Sequence, residues 1–496
     1  MSYKKIGEKH HRVDVIYLCD YIGESDMKYH PDKNQIGYEW LEIATLNKVP
    51  LYPSKLRRAI MNYCEGKETS VYLGNENVGY PEITDVLVMR GRKMAENIFK
   101  EYSSNEKNPD WEKHIERENQ LYQRNNDIRS EYERDYTRIL HSLAYRRLKH
   151  KTQVFFNIDN DHVCTRMEHV QHVESVSCTI AKYLGLNVDL TRAIAMGHDL
   201  GHAPFGHEGE VELTNIRNEI GLDDFWHERN SLRMIDNIEL LEDNNSNLQN
   251  LNLTYAVRDG IISHCGEVDD NGIIPRKERI DLNTIKKPGE YQAYTWEGCV
   301  VKISDKIAYL GRDIEDALRM NFIDEKDIAE LREISKIHGE KTINTTVIIH
   351  NFITSICENS TPQTGIMLSE EDNQMLKDIK TFNRRTIYKN PKFDVYRKYA
   401  ALVIRSIYET LAKFFDYDNT INKLSEMKYT YPKLISEFSA YLNTYCIIDD
   451  NNVRYQNKKI YGKLETDIIY KQAIIDYISG MTDRYAIEIF NELIRF

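Results

Sequence analysis

Histidine and aspartate occur together in one part of the chain in a way that suggests metal binding. Eight of the 16 histidines fall between residues 141 and 207. Within that stretch His198 and Asp199 are adjacent, in the sequence Gly-His-Asp-Leu-Gly-His. Imidazole and carboxylate groups are both ligands for first-row transition metals. A lone histidine is more often a core or surface residue, but this pair could supply two ligands to one ion.

Glycine is dense around the same pair, at Gly197, Gly201, Gly206 and Gly209. Each glycine costs a helix about 1 kcal/mol relative to alanine. Something other than helix propensity must therefore fix this stretch. Close approach of a ligand to the backbone is one physical reason for small residues there.

Two neighbouring segments could bring further ligands. Apolar residues recur at a near-3.6 period from Arg166 to Leu184, which predicts an amphipathic helix with His169 within it. Residues 300–320 predict a second strong helix. One face of that helix is polar and consists of Asp305, Tyr309, Arg312, Asp313 and Asp316. Such a stripe is most simply a solvated helix face, but this one contains a tyrosine and follows the apolar pair Val300-Val301.

Histidines and aspartates together would form a mixed nitrogen and oxygen site. Such a site suits Mn, Mg, Fe, Co or Ni better than structural zinc, which prefers thiolate ligands. Open positions on the ion would take water and phosphate oxygen. The residues alone leave open which group on the 300–320 helix would be the fourth ligand.

The elements that must position these groups are mainly helical. Gly185 is suited to end the 166–184 helix, and Asn187 or Asp189 to cap the next one. Further helices are expected at 345–356 and 396–415, and a hairpin or loop near 448–466. Residues 1–108 contain short β-branched and aromatic runs between turn residues, which predict a small α+β segment. The fold class is therefore mainly α, with additional C-terminal helices.

Composition excludes several classes of protein. The formal net charge is −12, which argues against non-specific coating of nucleic acid. There is no apolar run of about 18 residues and no secretory signal, so we expect no membrane contact. The 8 cysteines are scattered without a CxxC pair, as in a reduced cytoplasmic protein. These features predict a cytoplasmic globular enzyme or binding protein.

Three sequence motifs resemble those of the deoxyguanosine triphosphate triphosphohydrolase (dGTPase) family of HD-domain phosphohydrolases. They are Arg138-Ile-Leu-His-Ser-Leu-Ala-Tyr-Arg-Arg-Leu-Lys-His-Lys-Thr-Gln-Val154, Gly197-His-Asp-Leu-Gly-His-Ala-Pro-Phe-Gly-His-Glu-Gly-Glu210 and Ser304-Asp-Lys-Ile-Ala-Tyr-Leu-Gly-Arg-Asp-Ile-Glu-Asp-Ala317. The resemblance is firm over about 109–325 and weak beyond, for instance at Arg384 to Tyr388. It implies an N-terminal extension at 1–108, an HD core at 109–330 and a C-terminal helical region at 331–496.

The resemblance also implies an activity. Members of the family hydrolyse a dNTP to the deoxynucleoside and intact inorganic triphosphate, which we take to involve water attack at the α-phosphorus. It implies a divalent metal ion (Mn, Mg or another first-row transition metal) held by His169, His198, Asp199 and Asp305. His207 and Glu210 match the catalytic histidine and its acidic partner. The implied substrate-binding residues are Gln153, Arg166, His202, Lys306, Tyr309 and Asp313.

Within this family, Tyr309 and Asp313 match positions that sense the sugar 3′-OH and crowd out a 2′-OH. The resemblance further implies a homo-oligomer and allows for a nucleotide effector. Two alternatives stay open: another HD phosphohydrolase acting on monophosphates, cyclic nucleotides or alarmones, and a nucleotide-sensing regulatory protein. Nucleic-acid binding through the basic run at 138–151 is possible, but a solvated or phosphate-facing helix is the preferred interpretation of that run.

Overall fold

The computed structural model describes residues 97–120, 126–155, 160, 162–265, 271–338, 344–447 and 454–495. All of them belong to one compact unit, Gly91–Phe496. Most of the small α+β segment expected over residues 1–108 lies outside the described residues, and its described part, 97–108, forms turns and bends. The domain boundaries near 108 and 330 stay predictions.

The described residues are mainly helical, as predicted from the sequence. The helices are α1 Trp111–Ile115, α2 Glu131–His141, α3 Leu143–Arg147, α4 Arg166–Leu184, α5 Val188–Gly197, α6 Gly206–Glu219, α7 His227–Arg233, α8 Tyr255–Ile262, α9 Trp296–Arg319, α10 Glu325–Ile337, α11 Thr345–Asn359, α12 Glu370–Asn383, α13 Phe393–Ala412, α14 Thr420–Glu426, α15 Pro432–Tyr445, α16 Asp467–Ser479 and α17 Asp483–Ile494. Short π-helical turns, Met234–Ile238 and Arg384–Tyr388, follow α7 and α12. Strands β1 Leu240–Glu242 and β2 Leu248–Asn250 form one antiparallel hairpin, with Leu240 opposite Asn250.

Local sequence signals set the ends of the two helices that flank the site. Thr165 and Glu168 form a capping box at the start of α4, and Gly185 ends it with a φ of 83°. Asn187 then caps α5 by accepting hydrogen bonds from the backbone N–H groups of Asp189 and Leu190. Side-chain caps satisfy N–H groups that have no partner within a helix. The predicted bounds of α4 and the cap at Asn187 are confirmed.

Helix α9 is central to the packing around the predicted site residues. It packs against α4, α5, α8 and α11. Val300 and Val301, on which the sequence interpretation depended, are fully buried. Burial of such side chains contributes about 1.5–3 kcal/mol each. The polar face of α9 is thereby fixed in its orientation toward α4 and α5.

The C-terminal helices share a second core with α6. Phe205 and Leu213 are buried together with Ile404 of α13, Phe438 of α15 and Ile474 of α16. The predicted helices at 345–356 and 396–415 correspond to α11 and α13. The described part of the 448–466 interruption contains no helix, and its residue 455 forms a parallel bridge to β2. None of the described helices is both long and apolar enough to span a membrane.

Candidate active site

A cavity of about 690 Å³ opens beside α4, α6, α7, α9 and α12. It is large enough for a small-molecule ligand. Ten of the twelve residues predicted to form a site line it: Gln153, Arg166, His169, Asp199, His202, His207, Asp305, Lys306, Tyr309 and Asp313. His198 lies fully buried behind this lining, and Glu210 is hydrogen-bonded to His207. The structure therefore brings the predicted site residues to one place.

Three of the four predicted metal ligands form a tight cluster. The ligand atoms of His169, His198 and Asp305 all lie within 4.8 Å of one another. His169 Nε2 is 3.0 Å from Asp305 Oδ1, and His198 Nε2 is 3.9 Å from the same oxygen. Helices α4 and α9 and the turn after α5 each contribute one of the three.

The fourth predicted ligand, Asp199, lies beside this cluster and is held by other groups. Its Oδ1 is 3.9 Å from His198 Nε2 and 2.8 Å from His202 Nδ1. Its Oδ2 accepts a hydrogen bond from Arg166 Nη1 at 2.9 Å. Burial would raise the pKa of Asp199, but the neighbouring His202 and Arg166 hold it well below its usual range. The carboxylate is thus ionised and close to His198.

His198 is in the protonation state that a metal ligand requires. Its Nδ1 must donate to the Ala195 carbonyl, 2.7 Å away, because a carbonyl only accepts. Burial lowers the pKa of His198 to about 4, so the ring is neutral. In the part of the chain that the structure describes, its buried Nε2 lone pair has no hydrogen-bond partner. A buried acceptor without a partner, facing two carboxylates, fits a divalent cation.

A second histidine cluster lies across the cavity and includes a residue that the sequence interpretation missed. His207 Nδ1 is 3.1 Å from Glu210 Oε2, and His227 Nδ1 is 2.9 Å from Glu210 Oε1. His227 Nε2 is 3.4 Å from Glu228 Oε1. Burial would lower the pKa of His227, but Glu228 and Glu210 raise it to about 10. His227 is therefore a buried imidazolium, and its ring lies 3.8 Å from that of His202, centroid to centroid, at an interplanar angle of 39°.

The sequence did contain a signal for His227 and its neighbour Glu228. His227 and Glu228 are adjacent, like His198 and Asp199, and they begin a helix. His264, whose ring lies 4.9 Å from that of His198, carried no comparable signal. Its place in the site depends on the packing of α8.

Tyr309, Asp313 and Tyr388 form another part of the cavity wall. The Tyr388 hydroxyl donates to Asp313 Oδ2. Burial raises the pKa of Asp313 to about 7, although the hydrogen bond from Tyr388 acts in the opposite direction. Tyr388 was missed as a site residue, yet it ends the Arg384 to Tyr388 stretch in which the sequence resemblance continued weakly.

Basic side chains from α12 and the turn after it also line the cavity. They are Lys377, Lys380, Arg384 and Lys389, and Lys306 of α9 lines it as well. Arg166, which was expected to neutralise phosphate, instead donates to Asp199 and to the carbonyl oxygens of Thr152 and Gln153. The positive charge predicted for this cavity thus has sources beyond Arg166 and Lys306.

The fold and the site define a class of proteins, and comparison with known proteins agrees with that class. The family model described as the HD domain matches residues 166–310, and the phosphohydrolase-associated domain matches residues 420–492. The matched HD segment contains His169, His198, Asp199 and Asp305. The protein is a metal-dependent phosphohydrolase with an HD domain.

Relatives cover most of the chain. A deoxyguanosinetriphosphate triphosphohydrolase-like protein of Caldanaerobacter subterraneus subsp. tengcongensis is 34% identical over 367 residues, which is 74% of this chain and 86% of the relative. Relatives with the same description from Clostridium tetani and Pelagibacter ubique are each 32% identical, over 81% and 74% of this chain and 95% and 94% of their own lengths. The chain belongs to the family of deoxyguanosinetriphosphate triphosphohydrolase-like proteins.

Proposed function

We propose that this protein hydrolyses dGTP, or dNTPs generally, to the deoxynucleoside and inorganic triphosphate. The observation that carries the proposal is the cavity that joins the His169–His198–Asp305 cluster, a basic wall and a pair of hydroxyl- and carboxyl-bearing side chains. Those three parts match the α-phosphate, the rest of the triphosphate and the sugar of one substrate. The name shared by the relatives supports the same substrate class.

His169, His198, Asp199 and Asp305 would hold a divalent metal ion such as Mn²⁺ or Mg²⁺. When bound, such an ion supplies Lewis-acid polarisation of phosphate oxygen and lowers the pKa of water. Arg166 keeps Asp199 ionised and oriented, because it donates to one carboxylate oxygen and leaves the other facing His198 and His202. We assign Arg166 a positioning role in addition to its positive charge.

His207 and Glu210 would form the acid–base pair. Glu210 accepts from His207 Nδ1, so the opposite nitrogen, Nε2, is available to take a proton from water that attacks the α-phosphorus. His227 shares the same carboxylate and is protonated. Because it is protonated, His227 would donate to the leaving 5′-oxygen, while His202 would contact the phosphates.

The basic wall would bind the β- and γ-phosphates. Lys306 of α9, Lys377 of α12 and Arg384 of the turn after α12 would supply positive charge where triphosphate would leave. Fixed cations in a partly enclosed site offset the charge that develops on a departing polyphosphate. This distribution explains how an acidic protein can take a polyanionic substrate.

Tyr309 and Asp313, with Gln153 beside the same part of the cavity, would recognise the deoxyribose. The Asp313 carboxylate would accept from a 3′-OH, and the Tyr309 ring would exclude a 2′-OH. Steric exclusion of this kind gives deoxy over ribo selectivity without a dedicated hydrogen bond. The proposal also includes a homo-oligomer and a nucleotide effector. It further includes a domain division into residues 1–108, 109–330 and 331–496.

Incubation of metal-loaded protein with each dNTP, with dNTP mixtures and with GTP tests the function. Mn²⁺ and Mg²⁺ would be run in parallel, and products resolved by ion-exchange chromatography. The expected products are deoxynucleoside and intact triphosphate, with GTP unchanged. If neither single dNTPs nor mixtures turn over while metal is bound, the proposal is wrong, and a panel of monophosphates, cyclic nucleotides and alarmones should follow.

A further inference from the structure

A second cavity lies on the other side of α7 from the active site. Its volume is about 180 Å³, roughly a quarter of the active-site cavity. Three arginines line it: Arg217 of α6, and Arg229 and Arg233 of α7. Trp226 and Asn230 also line it, and Gln472 and Asp476 of α16 close it.

The arginines are only partly neutralised by the protein. Arg233 makes a bidentate contact with Asp476, at 2.9 and 2.5 Å. That carboxylate also accepts from Tyr461 and Gln472, so its charge is already shared. Arg229 has one long contact, 3.4 Å, to the exposed Asp223.

Within the residues that the structure describes, the Arg217 guanidinium donates to neutral acceptors only. Its Nε and Nη1 donate to neutral acceptors, the carbonyl of Asp223 and the amide of Gln472. Burial, followed by the neighbouring charges of Arg229 and Arg233, lowers its pKa even though Asp476 and Asp223 act against this. Among the described residues, Arg217 Nη2 donates to nothing.

An unsatisfied buried donor provides an independent observation. Trp226 is 6% exposed, and its indole Nε1–H has no hydrogen-bond partner in the described part of the chain. A buried N–H group without an acceptor destabilises the fold, because it has lost its hydrogen bond to water. An oxyanion in this cavity would accept from that donor and from the guanidinium groups together.

We infer that this cavity is a second anion site, which takes a small phosphate such as inorganic phosphate or a short polyphosphate. Arginine guanidinium groups match the oxygens of phosphate through paired hydrogen bonds. The cavity has room for a phosphate group but not for a whole nucleotide. Carboxylates are also present, since Asp224 lines the cavity and Asp223 contacts Arg229, so the anion would have to replace the long contact between Arg229 and Asp223.

The site is coupled to the active site through one short helix. Arg229 and Arg233 of α7 line the second cavity, while His227 and Glu228 of the same helix line the first. Asn230 Nδ2 donates to the Gly201 carbonyl at 2.6 Å. Phosphate bound to Arg229 therefore restrains the helix that carries His227.

Titration with inorganic phosphate at constant ionic strength tests the site, with Trp fluorescence for binding and hydrogen exchange for α7. We expect protection of the α7 amides in the wild-type protein. Arg229→Gln should weaken binding about tenfold, since one charge-assisted hydrogen bond is lost. Arg229 is partly exposed, so this variant should fold, and Arg192→Gln on α5 is the matched control.

A second variant, Trp226→Phe, keeps an aromatic ring and removes the N–H donor, so it should also weaken phosphate binding, measured for this variant by calorimetry because the substitution removes a tryptophan from the cavity. Crystals soaked in tungstate would locate the anion directly. Density against Arg217, Arg229 and Trp226 supports the site. Equal affinity of wild type and Arg229→Gln, or density in the active-site cavity alone, overturns it. The link between this cavity and catalysis rests on the proposed function. Phosphate binding, hydrogen exchange and the tungstate position do not require turnover, so they test the second site even if the proposed function is wrong.

Discussion

At the scale of single residues, backbone carbonyls determine which nitrogen of two site histidines is available. Ala195 accepts from Nδ1 of His198, and Ile261 is 2.6 Å from Nδ1 of His264. A carbonyl in that position requires the proton on Nδ1 and leaves Nε2 as a lone pair. Each carbonyl lies three residues before its histidine. The tautomer is therefore set by local geometry, before any ion binds.

His207→Ala should remove most turnover and leave metal binding intact. His207 is not among the four predicted ligands, and its ring is paired with Glu210. Loss of a general base typically costs about 10²–10⁴-fold in rate. Metal content by mass spectrometry and initial rates on dNTPs measure the two effects separately. His141→Ala, at an exposed histidine of α2, is the control, and full activity of His207→Ala would remove this residue from the mechanism.

The Asp313–Tyr388 pair predicts how activity depends on pH. Burial raises the pKa of Asp313 to about 7, and its ionised form accepts more strongly from a sugar hydroxyl than its protonated form does. The kcat/KM should therefore rise with pH through about 7. Three neighbouring charged or titratable groups also act on the pKa of Asp313: His169 and Arg166 lower it, and Asp316 raises it.

Tyr388→Phe should move this limb of the profile to higher pH. The Tyr388 hydroxyl donates to the carboxylate and stabilises its ionised form, so its removal raises the pKa of Asp313. The measurement is a pH–rate profile of both proteins over about 3.5 units, from about pH 5.5 to about pH 9. An unshifted or downward-shifted limb in Tyr388→Phe would contradict this assignment.

At the scale of elements, the turn after α5 and helix α7 are locked together by a glycine. A Cβ at Gly201 would lie 2.0 Å from the backbone nitrogen of Ser231 and 2.4 Å from the carbonyl oxygen of His227. Ser231 also bridges this contact, because its hydroxyl accepts from Gly201 N and donates to the His198 carbonyl. Because Gly201 has no side chain, the backbone of the turn after α5 can pack directly against the backbone of α7.

Gly201→Ala should displace α7 and with it His227 and Glu228. Overpacking of this kind costs about 1–3 kcal/mol of stability, and a shift of about 1 Å in a site can cost about 100-fold in rate. Circular dichroism and rate measurements check both effects. Gly480→Ala is the control, since its nearest neighbour is 3.5 Å away and its φ is negative. Wild-type activity in Gly201→Ala would show that α7 does not need this position.

Elements with strong local signals could be predicted from the sequence, and contacts between distant elements could not. Periodicity, the capping box and Gly185 identify α4 because they all lie within the helix or next to it. The positions of His169, His198 and Asp305 followed from such helices together with a family resemblance. The pairing of Arg166 with Asp199, and the place of His227 in the site, depend on packing between elements, for which a single sequence carries no local signal.

At the scale of the whole molecule, the segment before α1 is joined to the HD core by a buried polar network. Ser104 Oγ is 2.8 Å from His114 Nδ1 and 2.5 Å from the Tyr132 hydroxyl. Glu297 of α9 accepts from the backbone N–H groups of Ser104 and Asn187. Residues close to the N-terminal end of the described chain are thus part of the stability of the core.

His114 should make the folded state sensitive to acid. Burial lowers its pKa to about 4 from 6.5 in the unfolded chain. As pH falls from about 6.5 to 4, the unfolded state takes up a proton that the folded state does not, and stability is lost. The shift corresponds to at most about 3 kcal/mol.

Denaturant unfolding measures this effect in the wild-type protein and in His114→Gln. Values of about pH 7.5 and about pH 5 lie about one unit or more on either side of the unfolded pKa, about 6.5. The variant should lose less stability between the two conditions. His141→Gln, which changes an exposed histidine, should behave like the wild type. Identical pH dependence in wild type and His114→Gln would rule out a role for His114.

The turn that leads from His202 to His207 has a consequence for how such a chain can change over evolution. Phe205 has a φ of 65°, unusual for a residue with a Cβ, and Gly206 follows with 59°. Asp483, at the start of the last helix, accepts from Phe205 N at 2.8 Å and from Thr152 N at 3.0 Å. The end of the chain thus supports a conformation needed between two site histidines. A shuffling event that transplanted the HD segment without its C-terminal helices would separate that turn from its support, so the two parts are expected to be inherited together.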